Sequence, residues 1–501
     1  MSGFFTDPGE IIVSQRDLKV VVIGAGMAGI LAGIKLQEAG VKDITIYEKA
    51  DRIGGTWREN TYPGLTCDVP SHHYTFTFER NPDWTRHLPP GAEIQAYFEK
   101  VTAKYGVDRL IRFNEEATRA EYREGRWQLD FASGHADSAD VLISATGVLH
   151  HPSYPDIPGM SDFQGNLFHS ARWDHSVPLD GKRIGVIGTG STGVQIVSAL
   201  AGRAALLEHY VRTPQWIMPV ENGFFSEEQR AAFRDPEVLE KAMDFAGYNA
   251  KVDAYTQAII DDQSEGAKGL AAACLQNLEE SVSDPVLREK LRPTHKPLCK
   301  RLIFSPDYYQ AIQRPGAELV TEAIDCIEAS GIRTRDGQLH ELDIIVLATG
   351  FHADAFMRPM QITGRNGTTL ETVWADHPKA YLAITMPDFP NFFMLNGPNG
   401  PVGNFSLIDI AEHQWHYIGQ LLDRLRSGEA DEICCTRQAL AKFEVDRTEA
   451  AKKTVWFHGG CHSWYLDSRG VPASWPWAYS RFVKEMEAPR WEDMECVSHA
   501  S

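Results

Sequence analysis

Residues 19–29 read KVVVIGAGMAG, a hydrophobic run that ends in G-x-G-x-x-G. Its branched apolar run suits a strand buried on both faces, and the glycine-rich end opens a helical pattern. Residues 183–193, RIGVIGTGSTG, repeat the same device. Each unit then has a similar closing strand, DVLISATG at 140–147 and DIIVLATG at 343–350. The sequence therefore predicts an α/β fold with two Rossmann-like dinucleotide-binding units, each a parallel sheet flanked by helices.

The glycines of the first stretch stand where a pyrophosphate would approach the backbone. Gly24 permits a tight turn, Gly26 allows a phosphate to come close, and Gly29 lets helix and strand pack together. Glu48 ends the next predicted strand, about 20 residues further on, where an acid accepts hydrogen bonds from a ribose 2′-hydroxyl. This pattern predicts a dinucleotide site with an acidic ribose contact. A solvent-exposed glutamate after a glycine-rich turn is the alternative.

The second glycine motif ends differently. Gly188, Gly190 and Gly193 repeat the fingerprint, but Arg212, followed by Thr213, takes the position of the acid. A cation and a hydroxyl suit a 2′-phosphate, which a carboxylate would repel. We therefore expect NADPH rather than NADH at this site, with a surface arginine as the alternative. One acidic and one basic dinucleotide site together indicate a flavoprotein oxidoreductase that binds FAD and NADPH.

Composition excludes several other classes of protein. The 501 residues carry a formal net charge of −19 and are 43% hydrophobic, which favours a soluble protein over a nucleic-acid or membrane-surface protein. The sequence shows no apolar run of membrane-spanning length and no secretory signal, so we expect a cytoplasmic protein. The eight cysteines show neither metal-ligand nor disulfide spacing, which predicts free thiols and no metal site.

We expect the chain to divide around these motifs. Residues 1–150 form the first part of the FAD-binding domain, residues 151–350 the NADP-binding domain, and residues 351–501 the second part of the FAD-binding domain with a C-terminal cover. A helical insertion is predicted at about 221–300, within the NADP-binding domain. Its helical stripe comprises Leu239, Ala242, Met243 and Ala246. A later stripe comprises Leu407, Ile410, Ala411, Ile418, Leu421, Leu422 and Leu425. The final stretch, rich in Trp and Pro, is expected to be irregular.

The segment between the glycine motifs carries a third pattern. Residues 163–174, FQGNLFHSARWD, fit F-x-G-x-x-x-H-x-x-x-W-[P/D], the fingerprint of type I Baeyer–Villiger monooxygenases, and the chain resembles this family from about residue 18 to residue 430. Residues 55–68 resemble the family's G-x-W-x-x-x-x-[F/Y]-P-G-x-x-x-D segment, and residues 299–309 resemble its C-K-R…D-x-Y-Y segment. The fixed fingerprint positions are Phe163, Gly165, His169, Trp173 and Asp174.

The resemblance implies an FAD-dependent enzyme that uses NADPH and O₂. In this family NADPH reduces the flavin, the reduced flavin adds O₂ to form a C4a-peroxide, and the peroxide attacks a ketone to give a Criegee adduct that rearranges to an ester or lactone. The implied partners are a small-molecule ketone and O₂, and we expect a monomer or a homodimer. Residues 459–476 lack the loop typical of cyclohexanone-type members and look more like relatives that act on aryl or bulkier ketones. This departure favours a bulky, aryl or cyclic substrate.

The resemblance also assigns roles to site residues. Arg301 matches the family's catalytic arginine, Asp68 the acid that pairs with it, and Lys300 a lysine that contacts the NADP 2′-phosphate. Since arginine stays protonated at neutral pH, its role is electrostatic; a purely structural ion pair is the alternative. The residues predicted to bind FAD are Gly24, Gly26, Gly29, Glu48, Gly55, Thr56, Trp57, Asp68 and Tyr74. Those predicted to bind NADP are Gly188, Thr189, Gly190, Ser191, Thr192, Gly193, Arg212, Thr213, Lys300 and Arg301.

Two other regions receive a role through the resemblance. His169 and Trp173 belong to a linker tied to movement of the NADP-binding domain and are not expected to act as acid or base, although a lone histidine is more often a satisfied core residue. A helix beginning near Asn404 or Ser406 is expected to point its positive dipole end at the flavin, with an ordinary capped helix as the alternative. The candidates for a substrate or NADP lid are Cys461, Ser463, Trp464 and Tyr465.

Other flavoproteins also have two dinucleotide sites. A disulfide reductase needs a redox-active cysteine pair beside the flavin, typically CxxxxC, whereas Cys67 stands alone and is predicted to be a packing residue. A related flavin monooxygenase that oxidises nitrogen or sulfur is the main alternative; its fingerprint usually lacks the ending formed here by Trp173 and Asp174. An NADPH oxidase or sensor is disfavoured by Asp68 and the CKR segment with Arg301.

Overall fold

The computed structural model describes residues 15–403, 405–461 and 463–499. The strands are β1 (Lys19–Ile23), β2 (Asp43–Tyr47), β3 (Ile111–Arg112), β4 (Ala117–Arg123), β5 (Arg126–Phe131), β6 (Ala136–Ala139), β7 (Val141–Ser144), β8 (Asn166–His169), β9 (Arg183–Ile187), β10 (Leu206–Tyr210), β11 (Ile217–Pro219), β12 (Ile303–Ser305), β13 (Ala317–Val320), β14 (Ile324–Glu328), β15 (Gly331–Thr334), β16 (Leu339–Glu341), β17 (Ile344–Leu347), β18 (Gln361–Thr363), β19 (Phe392–Met394), β20 (Glu432–Cys435) and β21 (Met494–Val497).

The α-helices are α1 (Met27–Glu38), α2 (Thr56–Glu59), α3 (Gly91–Lys104), α4 (Ser191–Leu200), α5 (Glu227–Ala232), α6 (Pro236–Met243), α7 (Phe245–Ile260), α8 (Glu265–Ser281), α9 (Pro285–Leu291), α10 (Tyr308–Ala311), α11 (Leu370–Val373), α12 (Leu407–Ser427), α13 (Arg437–Ala451), α14 (Val455–His458) and α15 (Tyr479–Met486). Short 3₁₀ turns occur at Ser71–His73, Val107–Leu110, Met160–Asp162, Ser170–Arg172, Arg365–Gly367 and Trp491–Asp493.

The first glycine motif belongs to a parallel sheet of order β19–β7–β1–β2–β3. The strand β1 is central, with parallel partners β2 and β7 on its two sides. Its residues Val20, Val21 and Val22 are fully buried, as the continuous apolar run requires. The edge strand β19 pairs in parallel with β7, so the chain beyond residue 350 contributes to the same sheet as the N-terminal stretch.

The second glycine motif belongs to a second parallel sheet, of order β13–β10–β9–β17–β8. Here β9 is central between β10 and β17. The fingerprint segment supplies β8, which pairs with β17 at the edge. Antiparallel strands β4–β5–β6 and β14–β15–β16 form smaller sheets beside the two parallel ones. The predicted α/β fold with two Rossmann-like units is confirmed; the exact domain boundaries stay a prediction.

Helices α5 to α9 occupy the stretch predicted as a helical insertion. One expectation within it is wrong. The predicted stripe does not run through a single helix, because Asp244 has a left-handed backbone (φ +35°) that ends α6 and caps α7. Leu239 and Met243 are buried on α6, whereas Ala242 and Ala246 are exposed. A polar residue that ends one helix and begins the next therefore overrode the apolar periodicity.

The C-terminal part contains regular structure at both ends. Helix α12 packs against α1 and buries the predicted stripe, apart from the half-buried Leu407. The expectation of an irregular final stretch is wrong for α15, whose Tyr479, Phe482 and Met486 are buried, and for β21, which pairs with β20.

Across the described ranges, none of the helices combines the length and the apolar character needed to cross a bilayer.

Cys299 and Cys461 form a disulfide, so the prediction of free thiols throughout is wrong. These cysteines lie 162 residues apart in sequence, and the fold brings their Cα atoms to 6.2 Å. Local spacing carries no signal for such a pair, since the contact depends on two distant loops meeting. The free cysteines are Cys67, Cys274, Cys326, Cys434, Cys435 and Cys496.

Candidate active site

A cavity of about 1420 Å³ lies between the two parallel sheets. Gly24 and Gly26 line it on one side, and Gly188 and Gly190 line it on the other. Both motifs follow the carboxyl ends of central strands, which is where α/β sheets bind ligands. The volume exceeds the roughly 300–1,000 Å³ typical of a site for one drug-sized molecule. One cavity therefore has room for more than one ligand, with a glycine motif at each side.

The first glycine motif is packed as a phosphate cradle. A Cβ atom added to Gly29 would lie 1.8 Å from the Gly24 carbonyl oxygen, so only glycine lets α1 approach β1 this closely. Gly24 has φ +103°, and a Cβ atom there would lie 2.6 Å from the Ala145 carbonyl oxygen. Gly26 is open, because a Cβ atom would meet only Gly55, at 3.6 Å. These contacts suit a tight turn, an open approach to the backbone and close packing of helix on strand; the binding of a pyrophosphate here stays a prediction.

Glu48 is buried at the end of β2, with 4% of its surface exposed. Its carboxylate accepts hydrogen bonds from the backbone N–H groups of Ala25 (2.8 Å) and Ala50 (3.0 Å), and Arg58 lies 3.1 Å away. The residue lines the cavity, as predicted for an acid that contacts a ribose. Nothing in the sequence pattern predicts the ion pair of Arg58 with Glu48, because it forms only when α2 lies beside the end of β2.

The residues around this cradle fit FAD. Thr56, Trp57 and Tyr74 line the cavity, and the Trp57 indole N–H donates to the Tyr74 hydroxyl at 3.1 Å. Asn396 also lines it, and among the described residues no group hydrogen-bonds to its buried side-chain oxygen. A buried acceptor without a partner costs free energy unless a ligand satisfies it. Cys67 also lines the cavity, and burial raises the pKa of its thiol, which agrees with a packing role.

The second glycine motif has the same backbone packing. A Cβ atom on Gly193 would lie 2.1 Å from the Gly188 carbonyl oxygen, and one on Gly188 (φ +126°) would lie 2.1 Å from that of Ala348. Around Gly190 the space is open, so a phosphate can reach the start of α4. The predicted residues Thr189, Ser191 and Thr192 line the cavity as well.

Two cations stand beside this motif. Arg212 and Lys300 line the cavity together with Thr213, and neither cation has a carboxylate partner in the ranges that the structure describes. Burial and the neighbouring charge of Arg212 lower the pKa of Lys300 below its ordinary value. An anion bound between the two cations would relieve this repulsion, so the arrangement fits the 2′-phosphate of NADPH.

Arg301 and Asp68 form a bidentate ion pair on the cavity wall. The Arg301 Nε and Nη2 atoms donate to the two Asp68 carboxylate oxygens at 2.6 and 2.7 Å, and Nη1 donates to the Gly403 carbonyl. The side chains remain 31% and 20% exposed, on the cavity side. Burial opposes both charges, but each partner outweighs it, so the pKa of Asp68 lies below and that of Arg301 above the ordinary value. Both groups are therefore ionised at neutral pH.

Contacts between the two halves of the molecule hold the loop that carries Asp68, the partner of Arg301. Gln195 on α4 donates to the Thr66 carbonyl at 3.1 Å and accepts from the Tyr62 hydroxyl at 2.9 Å. A Cβ atom on Gly64 would lie 2.5 Å from the Gln195 carbonyl oxygen, so the loop that leads to Asp68 packs directly on the helix of the second glycine motif. The role of Gln195 could not be predicted, because nothing in its local sequence pattern distinguishes it from other helix residues.

The fingerprint residues lie outside the cavity wall. His169 is buried, its Nδ1 accepts from the Ala171 N–H at 3.1 Å, and its Nε2 therefore donates to the Gly350 carbonyl at 3.0 Å. Burial lowers the pKa of His169, which keeps the ring neutral. Gly165 allows close packing against Phe163 and Asp343. The Trp173 ring packs on Phe168. The Asp174 carboxylate accepts hydrogen bonds from the backbone N–H and the hydroxyl of Ser176. The motif thus lies in the segment that connects the two halves of the molecule. The hydrogen bond from His169 attaches this segment to Gly350, just beyond the end of β17.

The predicted lid residues separate into two layers. Ser463 and Trp464 line the cavity, and Trp464 is 46% exposed, whereas Tyr465 is buried behind them and Cys461 is bound to Cys299. The predicted helix begins at Leu407, with Ser406 at the N-cap position but without a side-chain capping hydrogen bond, and Phe405 and Leu407 line the cavity. Asn404 lies outside the described residues.

The cavity is lined by two glycine motifs, one followed by the acid Glu48 and the other by the cation Arg212, and by the Arg301–Asp68 ion pair. This combination defines a flavoprotein oxidoreductase with two dinucleotide sites. Residues 21–223 match the family described as pyridine nucleotide-disulphide oxidoreductase. The chain is 48% identical to an uncharacterized monooxygenase of Mycobacterium tuberculosis, over 92% of each chain. It is 35% identical to a Baeyer–Villiger monooxygenase of Streptomyces coelicolor, over 94% of this chain and 91% of the relative.

Solved structures agree with the sequence relatives. Cyclohexanone monooxygenase from Rhodococcus sp. Phi1 bound to NADP⁺ superposes with a TM-score of 0.85 at 30% identity, covering 96% of this chain and 99% of that one. The chain belongs to the type I Baeyer–Villiger monooxygenases. Solved relatives hold FAD and NADP, and the present enzyme is an FAD- and NADPH-dependent Baeyer–Villiger monooxygenase.

Proposed function

We propose that this enzyme inserts one atom of O₂ beside the carbonyl of a bulky, aryl or cyclic ketone to give an ester or lactone, with Arg301 as the cation at the reacting centre. The observation that carries the proposal is the Arg301–Asp68 pair, held on the wall of the cavity into which both glycine motifs open. Bound FAD would supply the redox chemistry, taking hydride from NADPH and passing the electrons to O₂. The residues of the chain bind, orient and shield the reactants.

The geometry of Arg301 suits electrostatic stabilisation. Asp68 holds two arms of the guanidinium fork and the Gly403 carbonyl holds the third, so the charge is oriented before substrate arrives. Preorganised donors lower a barrier where negative charge develops, as it does on oxygen during insertion beside a carbonyl. Because Arg301 stays protonated, it cannot act as a general base. Asp68 acts on the reaction through Arg301, by fixing its orientation.

The cations at the second cradle support the choice of NADPH. Arg212 and Lys300 provide two charges and Thr213 a hydroxyl for a 2′-phosphate. In contrast, an NAD site places a carboxylate at the position of Arg212. Thr189, Ser191 and Thr192 at the start of α4 would bind the pyrophosphate, where the helix dipole favours negative charge.

The apolar residues of the cavity wall favour an apolar ketone as the substrate. Val402, Phe405, Leu407 and Trp464 contribute apolar surface near the Gly403 contact of Arg301. Such a wall excludes water, which strengthens the field of the cation and limits loss of the activated oxygen as hydrogen peroxide. A half-exposed indole in Trp464 also offers a flat surface to an aromatic or bulky cyclic substrate.

A ketone panel tests this proposal. The purified enzyme, NADPH and ¹⁸O₂ are incubated with aryl, bulky cyclic and small cyclic ketones, and products are identified by mass spectrometry beside assays of amine and sulfide oxidation. We expect one ¹⁸O atom in the ester or lactone and the highest yield from an aryl or bulky ketone. The same assays are made with Arg301→Ala. Its matched control is Arg203→Ala, which removes an arginine from an exposed ion pair with Asp180. Oxidation of amines or sulfides with no ester from any ketone would contradict the proposal.

A further inference from the structure

Arg301 is held from two sides, and only one of them is Asp68. On the opposite side the Nη1 arm donates to the carbonyl of Gly403. A backbone carbonyl can orient a guanidinium only if its own segment is fixed. Gly403 has φ +106°, a conformation favourable to glycine, so its neighbours must determine where the carbonyl points.

Tyr465 is the side chain that packs on Gly403. A Cβ atom added to Gly403 would lie 2.2 Å from the Tyr465 hydroxyl oxygen and 2.6 Å from its Cε1, so the end of the ring covers the glycine directly. The ring is buried, with 2% exposed, between Trp456 and Trp464 at centroid distances of 5.0 and 4.3 Å. Burial raises the pKa of Tyr465, whereas the charge of Arg301 and a hydrogen bond with its side chain oppose the rise, so the Tyr465 hydroxyl lies close to the guanidinium as well as to Gly403.

The loop that carries Tyr465 is fastened at both ends. Before it, Cys461 is bonded to Cys299, the residue that precedes Lys300 and Arg301. After it, the Ala473 N–H donates to the Tyr465 carbonyl at 2.7 Å, and the Ser474 hydroxyl donates to the Val402 carbonyl at 2.9 Å. The loop is therefore joined both to the segment of Arg301 and to the segment of Gly403.

We infer that Tyr465 is a positioning residue for Arg301: its ring fixes Gly403, and the Gly403 carbonyl completes the orientation of the guanidinium that Asp68 begins. This inference rests on the role proposed for Arg301. The same loop therefore has two aromatic side chains with different roles. Trp464 lines the cavity, and Tyr465, the next residue, holds the segment that orients Arg301. A displaced loop would thus misplace the cation without removing any group that touches substrate.

The test uses Tyr465→Leu, which removes the flat ring, and Tyr465→Phe, which keeps it. We expect Tyr465→Leu to reduce its FAD with NADPH within about twofold of the wild-type rate and with an unchanged KM for NADPH, since Arg212 and Lys300 are intact. Its kcat for ester formation should fall roughly 10- to 100-fold, with hydrogen peroxide in place of ester, because misplacement by about 1 Å costs that much. Tyr465→Phe should restore the yield to within about threefold.

Controls separate this effect from general destabilisation. The FAD content per chain shows whether each variant is folded, and Tyr417→Phe removes a hydroxyl from another fully buried tyrosine, on α12. Equal losses of reduction and ester formation in Tyr465→Leu, or an equal loss of ester in the Leu and Phe variants, would overturn the inference.

A double-variant cycle distinguishes this inference from the proposed role of Arg301. In an Arg301→Ala background, Tyr465→Leu should change the ester yield by less than about twofold, because the group it positions is gone. Normal ester formation by Arg301→Ala alone would refute the role of the arginine. A defective Arg301→Ala enzyme with a normal Tyr465→Leu enzyme would refute only the positioning role of Tyr465.

Discussion

The two glycine motifs share one backbone design and differ at the end of the following strand. In both, the last glycine packs on the carbonyl of the first, with added Cβ atoms at 1.8 Å for Gly29 and 2.1 Å for Gly193. Glu48, after the first motif, is buried and already bound by two backbone N–H groups and Arg58. Arg212, after the second, is exposed and has no carboxylate partner in the described ranges.

This difference separates what all dinucleotide sites share from what selects a ligand. The glycines set the approach of a pyrophosphate and are alike in both units. The residue at the strand end sets the charge that faces the ribose. An acid at this position can accept hydrogen bonds from a ribose 2′-hydroxyl, whereas two neighbouring cations suit a ribose 2′-phosphate.

The largest expected effects come from breaking the shared backbone design. Gly29→Ala should yield protein without flavin or an insoluble chain, because the added atom overlaps the Gly24 carbonyl and α1 must move. Gly193→Ala should keep its FAD but lose NADPH-driven flavin reduction, by roughly 100-fold or more. Flavin absorbance per chain and anaerobic reduction by NADPH measure the two outcomes.

A matched control is available for these glycine variants. Gly269 lies within α8, and no atom lies within 4 Å of a Cβ atom added there, so Gly269→Ala should keep both cofactors. Loss of the same cofactor from Gly29→Ala and Gly193→Ala would contradict the assignment of one cradle to each dinucleotide.

The next effect sharpens the difference at the strand ends. Arg212→Ala or Lys300→Ala should raise the KM for NADPH roughly 10- to 150-fold, about 1.5–3 kcal/mol, because one charged contact to the 2′-phosphate is lost. The KM for NADH should change little. Steady-state kinetics with both cofactors measure this, with Arg203→Ala as the surface control. If both variants kept the wild-type preference for NADPH over NADH, the basic ribose site would lie elsewhere.

The smallest effect concerns the acid of the first unit. Glu48→Gln keeps the shape of the side chain and removes its charge, so Arg58 and a ribose hydroxyl would face a neutral amide. We expect the dissociation constant for FAD to rise about tenfold, or ~1.4 kcal/mol, with no change in the preference for NADPH. Titration of apoprotein with FAD measures this, and Glu38→Gln, at the exposed end of α1, is the control. A shift in NADPH preference would indicate that Glu48 faces the other cofactor.

The sequence predicted those parts of the molecule whose physics is local. A glycine that must touch a carbonyl, a buried parallel strand and a charged residue at a strand end all leave a signal within about 30 residues. The two Rossmann-like units therefore appear where the glycine motifs predict them, while the binding roles of the individual residues stay predictions. The Asp68–Arg301 pair spans 233 residues, and it was predicted only through the resemblance of two motifs to a family.

The features that the sequence did not reveal depend on distant segments. The Cys299–Cys461 disulfide and the packing of Tyr465 on Gly403 join loops that only the completed fold brings together. Asp244 broke a periodic stripe because one polar residue can end a helix and cap the next. Such contacts are set by tertiary packing, which a single sequence does not display.

We expect Arg301 to serve oxygen insertion and not to be required for hydride transfer. Stopped-flow flavin reduction by NADPH, beside product analysis with an accepted ketone, tests it directly in Arg301→Ala. We predict that the variant still bleaches its flavin with NADPH and reoxidises in air, releasing hydrogen peroxide, while ester formation falls about 10²–10³-fold. Asp68→Ala should fail in the same direction, more mildly. Normal ester formation by Arg301→Ala, at any rate of flavin reduction, would contradict the account.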